Sequence, residues 1–129
     1  MKILIRGRVV QFTIEAAVKL GVWEAIALQQ LEYWLQKHEE NGTNYHHGRY
    51  WNYFSVDEWH KQLPFISGKT IERTLKHLRD LGLVVVGNYN LKKSDQTLWY
   101  SIDYEAIGKF EKALPQIVAM IHTDKKRKP

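Results

Sequence analysis

Two helix starts in quick succession, with a proline between them, constrain this chain more than any other feature. Ser55 and Glu58 have the S-x-x-E spacing of a capping box, and Phe54 and Trp59 occupy the flanking positions of a hydrophobic staple. A helix therefore begins there. Pro64 cannot continue it, because its ring lacks the amide N–H and clashes with the preceding turn. Ser67 then caps a second helix, with Ile66 and Ile71 as its own staple. Within that helix Ile71, Leu75 and Leu78 are spaced four and three apart and share one buried face, and Gly82 supplies the stop. At about 100° per residue the opposite face carries Lys69, Arg73 and Lys76, with Thr70 and His77 at its margins. The runs LVVVGN and TLWYSI that follow are strand-like, and YNLKKSDQ joins them with Lys92 and Lys93 near the tip. The predicted layout is helix, turn, helix and a hairpin with a long basic loop.

The rest of the chain supplies the core around this unit. With 129 residues, 44% hydrophobic and 12% aromatic, it can bury one sizeable core. Residues 3 to 11 read as a strand or extended arm, Thr13 to Leu20 as a short helix ended by Gly21, and Val22 to Lys37 as a longer helix. That helix is apolar over more than half its circumference, which marks it as the hub of the core. His38 to Tyr50 reads as a surface loop, and Tyr50 to Phe54 as a short strand pairing with the later hairpin. Asp103 caps a last helix from Tyr104 to about Leu114. Beyond Pro115, Ile117, Val118 and Ile121 form an apolar stripe, and HTDKKRKP a basic tail. The fold class is α+β, mainly α, with a domain over 1–104 and a helical extension over 105–129. The expected core is Trp23, Leu28, Leu31, Leu35, Trp59, Leu63, Phe65, Ile71, Leu75, Leu78, Leu83, Val85, Leu98, Tyr100 and Ile102. Strand alternation puts Trp99 on the opposite face, exposed. An exposed tryptophan beside a spare apolar stripe predicts a homodimer.

Composition narrows the function classes. There is no cysteine, which removes disulfides, thiolate zinc sites and cysteine nucleophiles. The amino terminus has arginines inside its apolar run, and no stretch reaches eighteen apolar residues, so a soluble cytoplasmic protein is expected. SGKT at 67–70 matches the end of a phosphate-binding loop, but the glycine required five residues before Gly68 is Leu63. HEENG at 38–42 lacks the second histidine of a zinc helix, and His46 and His47 read as solvated loop residues. Glu39 and Glu40 lie in the predicted loop and Asp57 and Glu58 at a helix start, where capping explains them. No nucleophile stands beside a base at a telling spacing. Neither catalysis, a metal nor a cofactor is expected.

The formal charge of +5 and a pI near 9.4 favour a polyanionic partner. A capped helix, a turn, a second helix with cationic residues in its first turns and a basic hairpin together have the layout of a double-stranded DNA reader. In that reading Ser67, Lys69, Thr70, Arg73, Lys76 and His77 line the recognition helix. Lys92 and Lys93 in the hairpin, and Lys125, Lys126, Arg127 and Lys128 in the tail, meet phosphates.

From about Gly21 to Ala106 the chain also resembles the amino-terminal winged-helix domain of phage and plasmid replication proteins, the replisome organisers and DnaD-like primosome proteins. The resemblance lies in LQQLEYWLQ at 28–36, GRYWNY at 48–53, SVDEWHKQLPFIS, TIERTLKHLRDLGLV and TLWYSIDYEAI. It implies a three-helix core with a β-hairpin wing, a recognition helix in the major groove, a wing near the backbone or minor groove, self-association and a role in replication initiation. Two other readings of the same layout are a transcriptional repressor and a protein-interaction module that does not touch DNA.

Overall fold

The computed structural model describes residues 3–112. Pro115, the stripe Ile117, Val118 and Ile121, and the run Lys125, Lys126, Arg127 and Lys128 lie outside the described residues. The described part is an α+β fold, mainly helical. In chain order it comprises α1 (Ile3–Arg6), α2 (Ile14–Leu20), α3 (Val22–Asn41), β1 (Tyr45–His46), β2 (Arg49–Tyr50), β3 (Asn52–Tyr53), α4 (Val56–Gln62), α5 (Gly68–Asp80), β4 (Val84–Gly87), β5 (Trp99–Ile102) and α6 (Tyr104–Glu111). β3, β5 and β4 form an antiparallel sheet in that order, and β1 and β2 a separate small hairpin.

Both central helices start as their caps dictate. Ser55 Oγ accepts from Glu58 N while Glu58 Oε1 accepts from Ser55 N, and the Phe54 and Trp59 rings meet edge to face at 5.6 Å. Ser67 Oγ accepts from Thr70 N, and Ile66 and Ile71 are both buried. His60 Nδ1 lies 2.7 Å from Ile66 O and holds the turn that Pro64 opens. α5 ends on a Schellman motif: Gly82 takes φ 77°, its N–H reaches Arg79 O and the Leu83 N–H reaches Leu78 O. Leu78 and Leu83, the two apolar residues of that motif, are both fully buried.

α3 is the hub, touched by α2, α5, β2, β3 and β5. Its Ile26, Ala27, Leu31 and Leu35 join Trp59, Leu63, Ile71, Leu75, Leu78, Leu83, Tyr100 and Ile102 in one core cluster, with Leu28 and Leu98 packed partly buried against it.

Several expectations need correction. Residues 3 to 6 form one helical turn rather than a strand, and Gly7 to Thr13 has no regular structure. The segment 38–50 is not a plain loop: α3 runs four residues past Lys37, stops at Gly42 in the left-handed region, and leads into the β1–β2 hairpin. Its two-residue turn is His47-Gly48, both with positive φ (51° and 76°), the signs a type I′ turn requires. His47-Gly48 is not one of the Asn-Gly, Asp-Gly or Gly-Gly pairs that mark such a turn, and for that reason the segment reads as a loop rather than a hairpin. In β4 it is Val84, not Val85, that is buried, because Val84 pairs with Ile102 and Val86 with Tyr100 across the sheet. A one-residue shift inverts which valines face inward. Trp23 and Phe65 are 40% and 55% exposed and tilt against one another at 6.3 Å. Ile66 takes the inward place in the turn and leaves Phe65 outside. The last helix runs from Tyr104 to Glu111, and its expected end near Leu114 lies outside the described residues.

Candidate nucleic-acid interface

The outer side of α5 presents Lys69, Arg73 and Lys76, all exposed, opposite the buried Ile71, Thr74, Leu75 and Leu78. Their freedom differs. Lys69 makes no polar contact among the described residues, and Arg73 reaches only Thr70 Oγ1, at the long distance of 3.5 Å. The Lys76 ammonium instead lies 2.8 Å from Asp80 Oδ2, one turn on, and that bond holds the Asp80 carboxyl below its ordinary range. Ser67 and Thr70 are engaged with one another, Ser67 Oγ donating to Thr70 Oγ1 at 3.0 Å. His77 faces α3, its Nδ1 3.0 Å from Glu24 Oε2. The two free cations at the amino end of α5 are therefore Lys69 and Arg73.

Arg79 was not singled out by the periodicity argument because it lies on the flank of α5 rather than opposite the core. It is exposed, and its charge reaches Tyr100 on β5. Burial raises the Tyr100 hydroxyl above its ordinary value, and Arg79 partly offsets this. Arg79 thus adds an exposed cation on the flank of α5 nearest Tyr100 of the sheet.

The hairpin loop is built, not slack. Asn90 Nδ2 donates to the carbonyls of Asp95 and Thr97, Trp99 Nε1 donates to Asn90 Oδ1 at 2.7 Å, and Thr97 N donates to Asp95 Oδ1. Tyr53 from β3 donates its hydroxyl to Asp95 Oδ2 at 2.6 Å. These bonds leave Leu91, Lys92, Lys93 and Ser94 outside, all exposed. Lys92 and Lys93 thus stand at the tip, as expected.

Trp99 is not the exposed tryptophan that alternation implied. The far face of the sheet carries a second aromatic layer, in which Trp99 meets Tyr53 at 5.2 Å, His46 at 5.5 Å and Tyr89 at 5.6 Å. His46 stacks flat on Tyr89 at 4.3 Å, and His47 Nδ1 lies 3.0 Å from the Tyr89 hydroxyl. His46 is therefore a packing residue, half-buried between the two hairpins. Among the described residues no three His, Asp or Glu side chains group as metal ligands would, and no helix is long and apolar enough to cross a membrane.

No protein-family model matches the chain, and no curated protein or solved structure is significantly similar to it. The reading of this face rests on its own geometry and chemistry.

Proposed function

We propose that this chain is a winged-helix protein that binds double-stranded DNA without performing chemistry on it, in the cytoplasm and as a homodimer, in the replication initiation of a phage or plasmid. The observation that carries the reading is the free pair Lys69 and Arg73 on the first turns of a doubly capped α5, followed directly by a braced, lysine-tipped hairpin. The order α3, β3, α4, α5, β4, β5, with β5 central in the sheet, supports the winged-helix assignment. In this arrangement α5 enters the major groove, Arg73 reads a base edge with its planar fork, and Lys69 assists. Arg79, Lys92 and Lys93 contact phosphates, which adds affinity without sequence information. Lys76 and His77 contribute less than their positions suggested, since Asp80 and Glu24 hold them.

The test is a titration of duplex by electrophoretic shift at low and rising salt, on a selected site and a scrambled one. Arg73→Ala is expected to lose about 1 to 3 kcal/mol of discrimination between the two, as loss of a bidentate guanine contact does. Absence of any shift with duplex at low salt would return the chain to the class of protein-interaction modules. Bound sites mapped in the native host separate the replication role from a repressor: repeats inside an origin belong to the former, a site over the chain's own promoter to the latter.

A further inference from the structure

On another side of the molecule, α2, α3 and α6 border an open groove of about 320 Å³. Its floor includes Leu20, Leu28, Leu83, Ile102, Ile107 and Phe110, which belong to the core or pack against it. Among the described residues its edge carries Glu15, Glu32 and Glu111 against the one cation Lys19. Lys19 is held over the Phe110 ring, 5.6 Å from its centre, and Glu32 accepts the Tyr104 hydroxyl. Glu15 and Glu111 have no hydrogen-bond or ionic partner among the described residues. An apolar floor with surplus carboxylates along its edge suits an occupant that is aliphatic in one part and cationic in the next.

The chain itself supplies that pattern. α6 forms one wall, and Phe110 and Glu111 lie in the groove where the described residues end at Lys112. The sequence then reads ALPQIVAMIHTDKKRKP, with Ile117, Val118 and Ile121 first and Lys125, Lys126, Arg127 and Lys128 after them. At about 3.3 to 3.6 Å per residue, the stretch from 113 to 121 is long enough to turn back across a groove that begins beside it.

We infer that residues 113–129 dock in cis into this groove, the three aliphatic side chains on its floor and the basic run against Glu15 and Glu111. The attachment removes the floor from water and fastens α2 to α6. It accounts for an apolar stripe that the helix, turn and hairpin unit leaves without a role.

The absence of cysteine from the chain makes a direct test available in the whole protein. One variant combines Ala16→Cys, in the wall of the groove, with Ile121→Cys; the control is the same pair with Glu15→Lys and Glu111→Lys added, which keeps both anchor points and the tether between them. Because the tether is the same, docking is read as a disulfide forming about tenfold or more faster without the two lysines. Equal rates in the two variants, with circular dichroism showing both folded, would overturn the inference. Disulfides between chains rather than within them would overturn it too, in favour of a second copy in the groove.

Discussion

Leu75 shows how much a single position carries. It is 4% exposed, on the face of α5 that packs against α3 and α4. Leu75→Ala should destabilise the protein by about 2 to 5 kcal/mol, because the cavity adds to the lost transfer energy; urea unfolding with an unchanged slope is the check. Tyr53 and Asp95 make a different kind of prediction. Their hydrogen bond, then the Thr97 amide, holds the Asp95 carboxyl below its ordinary value, and the same bond raises the Tyr53 hydroxyl. The folded carboxyl pKa being the lower, its stabilisation is complete above the ordinary carboxylate value and is lost as pH falls through the lowered one. For Tyr53 the sign reverses: stabilisation is complete below the ordinary phenol value and is lost as pH rises through the raised one. Both groups are at the surface, so the effect is modest and weakens with salt. Tyr53→Phe should flatten both limbs of stability against pH, and a tyrosine absorbance titration should show one late-ionising ring fewer in that variant than in the parent, where Tyr100 and Tyr104 are raised as well.

At the scale of elements, local chemistry made the helix starts legible while pairing made the hairpin legible only in outline. Ser55, Ser67 and Asp103 each cap the helix their spacing predicted, since a cap needs only atoms within three residues. Which valines of β4 face inward depends on β5, distant in sequence, and so the register was misplaced by one residue. The loop between those strands owes its shape to Asn90, Asp95 and a tyrosine from another strand. Because that bracing holds Lys92 and Lys93 outward, the double variant Lys92→Ala and Lys93→Ala should reduce the slope of log affinity against log salt by up to about two. Site preference should stay as in the parent. A change of preference in this variant, with Arg73→Ala lowering affinity uniformly, would reverse the roles of helix and hairpin.

For the molecule as a whole, the unburied apolar surface is concentrated at one end of the chain. Eight of the fourteen large exposed apolar side chains among the described residues lie between Leu4 and Trp23, including Leu4, Ile5, Val9, Ile14 and Val18. Exposed apolar surface favours association, and we propose this amino-terminal segment, rather than Trp99, as the dimer contact. Sedimentation at high micromolar concentration should give a dimer, and Val9→Glu with Val18→Glu should weaken it by about tenfold or more, as truncation of central interface contacts does. A parent that sediments as a monomer would remove the proposed dimer. Taken by itself, the sequence determined the helix boundaries at Ser55, Ser67 and Gly82, the buried stripe of α5 and the cations opposite it, because caps and periodicity are properties of neighbouring residues. Only the tertiary structure decided that His77, at the margin of that face, turns to Glu24 on α3. It also decided that Trp99 and His46 are packed rather than exposed, since their partners, Tyr53 and Tyr89, arrive from other strands and loops. Side chains far apart in sequence become neighbours only once the core has formed, and no local spacing encodes that meeting.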